Sequence, residues 1–258
     1  KTTNADEVAK ATRLNEWTVS IAGGQLEGTS IRYAADLGIA LNGGDNLRVL
    51  PIVSRGAVGN VMDLLYLKGI DFAVTYADVL DHFKTVEKIP DIEKRISYVM
   101  PLFQGEVHIL AREGIAKLDD LTGKRVNFDV IGSGANYTGG IVFDRLGIKV
   151  ERLFANNAIA LEMMRAGEIA AIVHVASKPN DLLAKIKTGS GFHFLQIEFS
   201  QRFEDYYAPA DLTSVDYPAL IPPGQAVRTI SVPAVLAVFN WKADSDRYRR
   251  CARFVDHL

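Results

Sequence analysis

Cysteine is almost missing from this chain. Cys251 is the one thiol in 258 residues, which excludes an internal disulfide and any cysteine-based zinc cluster. Long apolar runs are missing as well: nothing approaches the about 18 consecutive apolar residues of a membrane-spanning helix. Positive charge is not in surplus. The formal net charge is -2, so there is no basic footprint for nucleic acid. Residues 1–15 are polar and hold no apolar signal-peptide core. The chain opens on Lys, and its last helical pattern (244–258) carries no Gly or Pro stop, so further residues are expected beyond both ends.

Chemical motifs are equally scarce. There is no Gly-x-x-x-x-Gly-Lys-Ser/Thr phosphate cradle, and glycines 23, 24 and 28 do not follow Gly-x-Gly-x-x-Gly, which disfavours ATP and NAD. None of His82, His108, His174, His193 and His257 forms His-Glu-x-x-His or accompanies a Gly-x-Ser-x-Gly elbow. His174 and His193 lie in strand-like runs and read as core or cleft residues. Asp78, after "VTYA", reads as a helix cap or a general base. No catalytic residue, metal or cofactor is expected, which leans toward binding without chemistry.

What remains is a regular alternation of strands and helices. "WTVSIA" (17–22) alternates apolar and polar residues, and Ile31, Ala34, Leu37 and Leu41 then recur at helical spacing up to Gly43-Gly44. Strands at 47–53 and 71–76 flank a helix through Val58, Val61 and Leu65. A second such module has strands at 126–128, 152–155, 169–175 and 192–199, with helices between them. This order predicts α/β modules with parallel sheets and right-handed crossovers. Two long extended segments, 98–111 and 228–239, join the modules and predict a pair of strands crossing between lobes.

Three glycine-hydroxyl loops leave predicted strands: "GGQLEGTS" (23–30), "SRGAVGN" (54–60) and "GSGANYT" (132–138). Ligands of open α/β sheets bind at the carboxyl ends of strands, where helix N-termini favour anions. Taken singly, Thr29, Ser54 and Ser133 read as helix caps. Taken together, two loops in one module and one in the other favour a small carboxylate held between them. Arg55, inside the second loop, either grips that carboxylate through paired hydrogen bonds or is an ordinary surface arginine. Glu27 either holds an amino group, repels a second negative charge, or is solvated in the first turn.

The set "IAGGQLEGTSIRYA", "VSRGAVGNVMDLLYLKGIDFAVTYADVL", "LDDLTGKRVNFDVIGSGANYTGGIVFDRLGI", "MMRAGEIAAIVHVASKP" and "YPALIPPGQAVRTISVPAVLAV", in this order, resembles the TAXI-type solute receptors of TRAP transporters from about Trp17 onward. The resemblance implies a type II periplasmic binding protein fold, two lobes around a central cleft with a two-strand hinge. The expected lobes are 1–103 with 230–258, and 104–229. It implies a periplasmic receptor, without cofactor, that delivers a small organic anion or amino-acid-like ligand to membrane permease subunits. The ligand contacts it implies are Gly24, Gln25, Thr29, Ser54, Arg55, Ala57, Tyr76 and Ala77 in one lobe. In the other they are Ser133, Gly134, Tyr137 and Thr138, with Ser177 and Lys178; Phe103 is expected to help cover the apolar part. The chain departs from the family pattern at Ser30-Ile31 and at Tyr76-Ala77-Asp78, so the usual ligand is not carried over. An enzyme or a ligand-sensing domain on the same architecture is the alternative.

Overall fold

The computed structural model describes residues 4–42 and 47–258. Its first half runs α1 (Asn4–Glu16), β1 (Thr18–Gly24), α2 (Thr29–Leu41), β2 (Arg48–Val53), α3 (Ala57–Tyr66), β3 (Phe72–Tyr76), α4 (Val79–Thr85), α5 (Ile92–Arg95) and β4 (Ile96–Arg112). Then come β5 (Arg125–Asn127), α6 (Gly140–Leu146), β6 (Glu151–Leu153), α7 (Asn157–Arg165), β7 (Ala171–Ala176) and α8 (Asp181–Ala184). The chain closes with β8 (Phe192–Phe194), β9 (Ala208–Thr213), β10 (Ala226–Phe239) and α9 (Asp246–Asp256). The expected stop at Gly43-Gly44 lies outside the described residues.

The strands line up as β2-β1-β3-β10-β4-β7-β5-β6, with β8 on β4 and β9 on β10. Each module keeps its parallel pairs, β1 with β2 and β3, and β5 with β6 and β7. The centre is antiparallel: β10 runs against β3, β4 and β9. The two long joining segments are therefore one ladder, from Ser231 opposite Glu106 to Phe239 opposite Ile96, shared by both lobes. A purely parallel reading of each module is corrected here, because a segment that crosses between lobes and returns must run against its partner.

Burial explains the elements. β3 and β7 are buried at every position, as strands covered on both faces are. α2 buries Ile31, Ala34 and Gly38, and α3 buries Ala57, Asn60, Val61 and Leu64. α9 turns Cys251 and Phe254 inward, the latter 4.4 Å from the Phe72 ring, while Tyr248 and Val255 face solvent. The predicted strand at 192–199 is regular only to Phe194. Beyond it the chain changes partners, Leu195 donating to Ile109 and Ile197 to Arg228. Among the described residues, no helix is long and apolar enough to cross a membrane.

Candidate functional site

The three loops meet. Gly56 approaches so closely that an added Cβ would stand 3.1 Å from Ser133 Cα, and its φ of +117° is one that side chains avoid. The amides of Val58 and Gly59, in the first turn of α3, both donate to the Gly132 carbonyl at 3.0 Å. That helix terminus, expected to cradle an anion, spends those N–H groups on the opposite lobe.

Other bonds cross the same gap. Ser177 N donates to Thr29 Oγ1 (3.1 Å), and the two hydroxyls lie 3.0 Å apart. Tyr76 donates its hydroxyl to Val175 O (3.0 Å), and Asn180 Nδ2 donates to Glu27 O (3.3 Å). At the surface Arg32 pairs with Asp181 at 2.7 Å. Deeper, Asp78 Oδ2 accepts from Thr138 Oγ1 (2.7 Å) and from the Tyr207 hydroxyl (2.9 Å). Burial drives the Asp78 pKa up to about 6, against the lowering effect of those two hydrogen bonds.

These contacts border a half-open cavity of about 50 Å³. Of the residues the sequence nominates, Gly24, Gln25, Thr29, Arg55, Ala57, Tyr76, Ser133 and Gly134 line it. The others do not. Ser54 hydrogen-bonds Asn60, Ala77 N donates to Pro233 O, and Thr138 serves Asp78. Phe103 packs on Tyr33 and edge-on to Tyr76, and Tyr137 stacks edge-on to His82. Ser177 stands beyond the wall on Thr29, and Lys178 is tied to Asp211 O and Asp216. Ser133 does cap its turn, accepting from Asn136 N at 3.1 Å, while Thr29 and Ser54 cap nothing.

The wall also holds Glu27, Asp129, Asn156, Asn157 and His174. Asn156 caps α7 through Oδ1, which leaves its Nδ2 to donate to Gln25 Oε1 at 2.7 Å. Gln25 Nε2 must then face Asp129, and it donates to both carboxylate oxygens, at 3.0 and 2.9 Å. Asp129 is buried and left-handed (φ +57°), at the carboxyl end of β5. Arg55 is the sole lysine or arginine lining the cavity among the described residues, and it stands exposed at the rim. The site is thus a small chamber of mixed polar and apolar lining, in which acidic side chains outnumber basic ones. No group of three or more metal-ligating side chains is found among the described residues.

A model described as the NMT1-like family matches residues 24–249. The chain belongs to the NMT1-like family. No curated protein matches its sequence. Solved structures share its fold at low identity. The arginine-bound form of a truncated ArgBP from T. maritima aligns with TM-score 0.55 and 14% identity, covering 96% of this chain and 98% of that one. The CcmR regulatory domain of Synechocystis PCC6803, in complex with 2-PG, gives 0.54 and 12%, covering 93% and 96%. The BvgS periplasmic domain of B. pertussis gives 0.50 and 13%, covering all of this chain (100%) and 43% of that one. The NMT1-like chain therefore has the two-lobe α/β fold of periplasmic binding proteins.

Proposed function

We propose that the protein is an extracytoplasmic solute receptor of the TAXI type, which closes on a small solute and delivers it to the permease of a TRAP transporter. The lobes are taken as 1–103 with 230–258, and 104–229, moving about the β4–β10 ladder. The observation that carries this reading is the cavity itself, a chamber with charged side chains at strand ends between two lobes that clasp each other directly. The solute is amino-acid-like: its carboxylate pairs with Arg55, and its amino group with Asp129, since a buried carboxylate calls for a positive partner, and with the exposed Glu27 beside it.

Native mass spectrometry of the purified protein tests the reading. The expected spectrum contains a species heavier than the chain by one small molecule, lost on mild denaturation. A protein that carries nothing, and whose melting temperature no amino acid or small organic acid raises, is no solute receptor.

A further inference from the structure

One wall of the cavity ends in an imidazole whose outer nitrogen bonds to nothing among the described residues. His174 Nε2 is a buried polar atom without a partner among the described residues, on a residue that is 7% exposed and lines the chamber. The inner edge of the ring is fully accounted for, and it fixes where the proton sits.

Ala155 N donates to Asn127 Oδ1 at 2.9 Å, and Asn127 Nδ2 donates back to Ala155 O at 2.9 Å, so the backbone decides which end of this amide is which. The same Nδ2 donates to Asn157 Oδ1 at 2.9 Å. Asn157 Nδ2 is left facing His174 Nδ1 at 2.7 Å, and a donor there requires that Nδ1 accept. Burial pushes the His174 pKa down, so the ring stays neutral. A neutral imidazole that accepts at Nδ1 carries its hydrogen at Nε2. The chain thus maintains a buried N–H donor, on a residue that lines the cavity, matched by no acceptor among the described residues.

We propose that His174 is a specificity-determining residue whose Nε2–H binds an acceptor oxygen of the solute, selecting small molecules that carry a carboxylate or carbonyl there. This rests on the solute-receptor reading and sharpens it.

Histidine-selective ¹H–¹⁵N spectra of the full chain, titrated with glycine, acetate and methylammonium, test it. The free protein is expected to show the Nε2–H tautomer at His174. Glycine and acetate shift that resonance and methylammonium leaves it in place. His174→Gln, which keeps an N–H donor at similar reach, holds glycine within a few-fold of the unmodified protein, whereas His174→Phe weakens it about tenfold or more. An Nδ1–H tautomer overturns the inference, as does glycine binding that leaves the resonance unmoved or survives His174→Phe. Those results leave the receptor reading standing. If no probe binds and native mass spectrometry finds no carried solute, the inference and the reading fail together.

Discussion

Asp78 is a carboxyl group in a place that disfavours its charge. Unfolded it titrates at 3.8, and folded at about 6, because burial outweighs its two hydroxyl donors. The folded chain holds this proton more tightly, so the stabilisation is complete below about pH 4 and lost as pH rises through 6. His108, lowered by burial to about 3, and His174, also lowered, act with the opposite sign: they favour folding above 6.5 and cease to as pH falls. A difference between variants separates these effects. Asp78→Asn keeps an oxygen for Thr138 and Tyr207 but cannot ionise. It is expected to be more stable than the parent at pH 7.5 by about 2–3 kcal/mol, with the gap narrowing as pH falls and closing below about pH 4 in urea titrations; a gap that ignores pH refutes this. At this scale the sequence was partly readable. Gln25, Thr29 and Tyr76 sit where loops leave strands, a position that chain order reveals. Asp129 and His174 gave no such signal, since burial, tautomer and unpaired atoms come from long-range packing that a local pattern does not encode.

Among the elements, α3 shows how one polar side chain fastens a sheet. Asn60, fully buried, shares the two hydrogens of its Nδ2 among the carbonyls of Ala22 (3.2 Å), Gly23 (3.1 Å) and Val74 (2.6 Å), while the Ser54 hydroxyl donates to its Oδ1. It joins the ends of β1 and β3 to the helix above them. Asn60→Ala strands those carbonyls in a dry interior and is expected to cost about 2–4 kcal/mol, seen as a lowered midpoint in denaturant; a loss under 0.5 kcal/mol would mean that water replaces the amide. Elements with apolar periodicity were legible, from α2 through β7 to α9. α1 was not, because a helix that buries none of its residues has no stripe to read. β9 was missed for a related reason: "APADLT" buries Leu212 alone and owes its extension to pairing with β10.

In the molecule as a whole the lobes stand together, and Tyr76 shows how tightly. A Cβ on Gly134 would fall 2.3 Å from one edge of that ring, and one on Gly105 would fall 2.6 Å from the other. Gly134 has an ordinary helical φ of -62°, so alanine there suits the backbone and fails on space alone. Gly134→Ala is therefore expected to hold the lobes apart, giving a larger radius of gyration by small-angle scattering than the parent protein. Identical profiles would show that the ring can yield instead. The two-lobe plan was visible in the sequence through the two long segments that became β4 and β10. The direct clasp was not, because it depends on loops more than 70 positions apart meeting at Gly132, with Val58 and Gly59 as donors.

That clasp has a kinetic meaning. If the proposed receptor opens about its hinge, bonds that it makes to itself between the lobes must break at each opening, and they re-form whether or not a solute has arrived. A receptor of the proposed kind would then keep its own timetable of opening, and admit a scarce solute at that tempo rather than at the pace of diffusion.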